Sequence, residues 1–124
     1  MAVVTLQELI AKRENIKDKR KLKYEISTSI GDVVAVLPDA ALVAEALDMT
    51  PSFEANKYIV YNSIVEPNLK DEELQKVYGV LEPADIVTAI FLPGELTKIA
   101  NKLLDLAGFK GKLTAKVHDE VKNA

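Results

Sequence analysis

Only one side chain in the sequence combines titration near neutral pH with metal-ligand chemistry, and it is His118. It lies beside Asp119 and Glu120, and the chain contains no cysteine and no second histidine. A zinc-type site wants three or four ligands, most of them imidazole or thiolate, so His118 has no partners with which to build one. The same two absences exclude Ser-His-Asp and Cys-His nucleophiles, because the sole imidazole falls in a polar C-terminal stretch away from any rigid apolar element. Two-carboxylate chemistry stays formally open, since Glu66, Asp71, Glu72 and Glu73 lie close in sequence. Acidic residues at 71–73 are also what a helix N-terminus favours electrostatically, and no aromatic set nearby would line a cleft. Gly108-Phe109-Lys110-Gly111-Lys112 resembles a phosphate loop only loosely, since the Walker spacing and the preceding strand are both missing. A helix C-cap followed by a turn accounts for both glycines. No catalytic, cofactor-binding or metal-binding residue is assigned, no cofactor is expected, and the chain reads as a non-enzyme.

The densest charge is the run Lys17, Lys19, Arg20, Lys21 and Lys23. Five cations in seven residues can engage phosphates, which makes a small nucleic-acid-binding regulator the alternative reading. Against it, Asp18 interrupts the run and the whole chain is acidic, with 16 basic against 19 acidic side chains and a net charge of -3. Cations at a helix C-terminus also complement its dipole, so a solvated helix end is the default.

The elements that must position these residues are those of one ordinary domain. The chain has 124 residues, 48% apolar and 28% charged, enough to bury a core without disulfides or metals. The N-terminus lacks a signal-peptide pattern and no stretch approaches the roughly 20 apolar residues of a membrane span, so a cytoplasmic protein is expected. From Thr5 to Arg20 the pattern is helical, with Thr5 and Glu8 spaced as a capping box and Leu6, Leu9, Ile10 and Ile16 on one face. Leu22, Tyr24 and Ile26 alternate with charged residues, and Val33 to Leu37 is a second β-branched run, so residues 21–37 are predicted to form a hairpin.

After Pro38 the period returns to that of helices. Leu42, Val43, Ala46 and Leu47 form one face. Ser52 is expected to cap a longer helix, with Phe53, Val60 and Ile64 inward, that runs until Glu66-Pro67-Asn68. Asp71 to Tyr78 is a brief helix ended by Gly79, Pro83 opens the next with Ile86, Val87, Ile90 and Phe91 inward, and Leu96 to Ala107 is the clearest amphipathic helix. The predicted fold is therefore α+β and predominantly helical: an N-terminal helix, one antiparallel hairpin, and a bundle of about four to five helices. One globular domain is expected over residues 1–109, followed by a polar tail at 110–124, loosely helical or disordered.

Several stretches carry a resemblance to a known family. They are Lys12 to Lys21, Val65 to Asp71, Glu73 to Gly79, Glu82 to Val87, Ile90 to Leu96 and Leu106 to Phe109. Together these resemble the XkdN-like tail assembly chaperones of bacteriophages and prophages, most strongly from Val65 to Phe109. The resemblance implies a non-enzymatic protein of the host bacterial cytoplasm. Its partner would be the tape-measure protein, kept soluble while tube subunits polymerise around it. It also implies self-association as a homo-oligomer and a frameshift-extended form; no membrane partner is expected, and a nucleic-acid partner belongs only to the alternative reading. Holding a long, sticky client requires exposed apolar contacts, and the candidates at element ends that no helical face claims are Leu69, Tyr78, Leu92 and Phe109.

Overall fold

In a computed structural model, residues 3–109 are described. The alternating run becomes β1 (Lys23–Thr28), which pairs antiparallel with β2 (Gly31–Val36) from Lys23 opposite Val36 to Thr28 opposite Gly31. Gly31, at φ 119°, takes a backbone conformation that residues with a Cβ rarely adopt, and so closes the turn. On one face of the hairpin exposed Lys23, Glu25 and Ser27 of β1 lie opposite half-buried Val36 and Val34 and exposed Asp32, while on the other Val33 and Ala35 of β2 are buried. A third strand, β3 (Ile64–Glu66), pairs antiparallel with the other edge of β2, giving the sheet order β1-β2-β3. A two-stranded hairpin is marginal alone; here β2 becomes a central strand and the sheet leans on the helices.

The helical part follows the predicted punctuation. Asp39 caps α3 (Ala40–Leu47) by accepting the Leu42 N–H at 2.8 Å. The 12-residue helix α4 (Ser52–Ser63) lies against both α3 and the longer α7 (Pro93–Leu106). Between them come α5 (Glu72–Tyr78), capped by Asp71, a 3₁₀ turn at Pro83–Asp85, and α6 (Ile86–Ile90). The core is one cluster of Val33, Ala35, Val60, Ile86, Leu96 and Leu103 with their neighbours, and Leu103 is fully buried while Leu104 is half-buried at its edge. Two glycines end helices in the same way. Gly79 (φ 65°) donates to the Lys76 carbonyl and Val80 to that of Gln75; Gly108 (φ 87°) donates to Asp105 and Phe109 to Leu104. Both are paired-bond caps that only a residue without a Cβ adopts readily.

Four expectations are corrected. The segment from Thr5 to Arg20 is two helices, α1 (Leu6–Ala11) and α2 (Arg13–Arg20), broken at Lys12, and every side chain from Val3 to Lys19 is exposed. Its apolar stripe is interrupted by Arg13, and the core is already filled by α4, α6 and α7. The helix expected to reach Glu66 stops at Ser63, because Pro67 biases Glu66 to extended backbone, and Ile64 and Glu66 then pair with Ala35 and Val34 of β2. Ser52 is the first residue of α4 rather than its cap, a position Pro51 holds without a side-chain bond. Leu47 ends α3 largely exposed, whereas Val43 and Ala46 of the same face are buried.

Candidate protein-contact surface

The four apolar residues singled out from the sequence separate in space. Leu69 is 2% exposed and belongs to the core, so its proposed contact role is withdrawn. The reason is local. Asn68 Oδ1 accepts the Lys70 N–H at 3.1 Å, and the Leu69 carbonyl accepts from Gln75 Nε2 at 3.0 Å, which folds the turn back on α5 and drives the leucine side chain inward. Outside that turn, the Lys70 ammonium lies 5.5 Å from the Tyr61 ring centroid.

Tyr78 (49% exposed), Leu92 (76%) and Phe109 (49%) remain on the surface. Leu92 is the residue before the first turn of α7. Two bonds from Ser29 to Glu95, Oγ to Oε1 at 2.6 Å and N–H to Oε2 at 2.8 Å, bring the hairpin turn to that same helix start. Exposed Ile30 and exposed Leu92 thus flank one end of the molecule. Phe109, at the other end of α7, lines a shallow cavity of about 320 Å³ with Leu37, Pro38, Asp39, Ala40 and Ala107. Tyr78 belongs to a separate place, at the end of α5 with exposed Val77 and Leu81.

Sequence reasoning missed Leu81, Val77, Ile30 and the arm of α1 and α2 as surface. Val77 follows Leu74 at helical spacing and reads as core, yet α5 ends one residue after it and only Leu74 packs inward. Leu81 had a usable signal. The glycine cap turns Val80 back onto the core, so the next side chain in the chain points away.

The buried electrostatics are structural. Lys57, largely buried on α4, places its ammonium 2.7 Å from Asp85 of the 3₁₀ turn and 2.8 Å from Glu54. The hydrogen bond to Asp85 and then that to Glu54 raise its pKa above the ordinary 10.5, against the opposing effect of burial. Tyr58 donates to Glu45 across α3 and α4, which raises the phenol above its usual 10.0. Asp71 Oδ1 accepts the Leu74 N–H at 2.9 Å and so caps α5, and Glu66, Glu72 and Glu73 are exposed. Lys17, Lys19, Lys21 and Lys23 are exposed, and among the described residues none joins an ion pair. His118 and Lys110 to Lys112 lie outside the described residues, as does the tail at 110–124. Among the described residues no helix is long and apolar enough to cross a membrane.

The chain is thus a mostly helical α+β domain with a filled core, an exposed apolar arm and further apolar residues exposed at its helix ends. The chain belongs to the phage XkdN-like tail assembly chaperone family, whose model matches residues 43–122. That span begins inside α3 and takes in α4 to α7, while the arm and the hairpin precede it. No curated protein and no solved structure matches the chain.

Proposed function

We propose that the chain is a non-catalytic chaperone of the host bacterial cytoplasm that binds a tape-measure protein and keeps it soluble while the tail tube assembles. The observation that carries this reading is the family match over residues 43–122. Exposed Leu92 and Phe109 support it, since an amphipathic client helix is held by apolar anchors at intervals along its face. Several copies are required per client. At 1.5 Å per residue a helical client of several hundred residues far outruns a domain whose radius of gyration is about 14 Å. Formation of a homo-oligomer, and of a frameshift-extended form, would suit the same task.

Co-expression with the tape-measure protein of its own locus tests the reading. The client should stay soluble and co-purify with more than one copy of the chain. Leu92→Asp and Phe109→Asp should each weaken co-purification about tenfold or more, while leaving helical circular dichroism intact. Raising the salt should change the complex little, because apolar contacts are screened far less than phosphate contacts. An insoluble client with no complex at any ratio would sink the proposal, and a complex that instead recruits nucleic acid and dissolves steeply with salt would favour the basic segment Lys17 to Lys23.

A further inference from the structure

Two of the apolar surfaces left outside the core carry opposite charge. On the N-terminal arm, Leu9 of α1 and Ile16 of α2 line a shallow groove of about 370 Å³ whose remaining lining residues are Arg13 and Lys17. Between Lys12 and Lys23 the sequence carries seven cations and two carboxylates. The groove is an apolar floor with a cationic rim. Beyond α5 the arrangement is inverted. Leu81 is 98% exposed, a single apolar knob followed in the chain by Glu82 and flanked by exposed Val77 and Tyr78. Glu73 lies one helical turn before Val77, and from Glu66 to Glu82 there are five carboxylates and two lysines.

We propose that the knob of one copy docks in the groove of a second copy, Leu81 seated on Leu9 and Ile16 and Glu82 facing Arg13 and Lys17. Both surfaces are exposed on the same molecule, so each copy offers one of each and the contact is head-to-tail. Charge decides against the alternative of arm on arm, which sets cations against cations across the groove, and fixes the orientation of the docked pair. Val77 and Tyr78 on one side, with Leu6 and Ile10 on the other, extend the contact toward the roughly 800 Å² per partner of a standard interface. The inference concerns the chain's contact with itself and does not depend on what its client is.

A mixing experiment by analytical ultracentrifugation, on the purified full chain without any client, tests it. Wild type should form species larger than a monomer whose size or population grows with concentration. Ile16→Asp and Leu81→Asp should each weaken this at least tenfold when alone. Mixed in equal amounts they should form a heterodimer that grows no further, because the intact knob of the first variant meets the intact groove of the second and no other complementary pair remains. Both substitutions are at exposed positions; should Ile16→Asp lower the helical circular dichroism, Lys17→Glu keeps the apolar floor and takes its place. Wild type that stays monomeric at every concentration overturns the proposal, as does a mixture that associates no better than either variant. Leu81→Asp that assembles like wild type while Ile16→Asp does not would establish arm-on-arm pairing instead.

Discussion

Lys57 is the side chain whose chemistry and position constrain each other most tightly. Its stem fills space on α4 among apolar neighbours, while its ammonium bridges Glu54 on its own helix and Asp85 of the 3₁₀ turn. Because the folded state holds this proton more tightly than the unfolded chain, the stabilisation is fully present below the ordinary lysine value of 10.5 and is lost as pH rises through the raised folded value. Tyr58, raised by its bond to Glu45, has the same sign. The thermal midpoint of wild type should therefore fall as the pH rises above about 10, and Lys57→Met should flatten part of that fall. At neutral pH the same variant should lose about 1–3 kcal/mol, because two charge-assisted bonds disappear but both carboxylates keep access to water. An unchanged alkaline slope in Lys57→Met would show that the bridge does not hold the two elements together.

Among the elements, α7 was the most legible in the sequence and β3 the least. Leu96, Ile99, Ala100 and Leu103 recur at three and four, and all four are buried. Leu103→Ala should consequently cost about 2–5 kcal/mol in denaturant unfolding, and Leu104→Ala, half-buried beside it, clearly less. Near-equal losses at the two positions would mean that the helix is rotated from the face described. The caps were legible for a comparable reason: Asp71 and Gly79 each satisfy a backbone demand that few residue types meet. Three residues of strand carry no period, and Val60 and Ile64 are also spaced as neighbours on a helix, so only Pro67 hinted that the chain there is extended. The arm failed differently. Its amphipathic pattern is real, but amphipathicity says that a face seeks a partner and not that the partner lies in the same core.

At the scale of the whole molecule, the exposure of the candidate contacts was mostly legible. Tyr78, Leu92 and Phe109 fall at element ends outside any stripe and are exposed, and Leu69 satisfied the same criterion while a turn stitched by Asn68 and Gln75 turned it inward. The bonds of that turn span only two and six residues, whereas no local pattern at all announces a tertiary bond. The Ser29–Glu95 bonds are the extreme case, joining residues 66 apart in sequence. Closing a loop of that length carries an entropy cost that grows with the logarithm of its length, and nothing repays it until α7 has docked on the rest of the core. The tie between hairpin and last helix should therefore form after the rate-limiting step of folding, and its loss should be felt almost wholly on the way out of the native state. Glu95→Ala should destabilise by about 1 kcal/mol, appearing as roughly fivefold faster unfolding with the folding limb of the chevron unchanged. A slowed folding limb would instead place the hairpin turn and the start of α7 together in the nucleus, making two segments far apart in sequence the first parts of the molecule to meet.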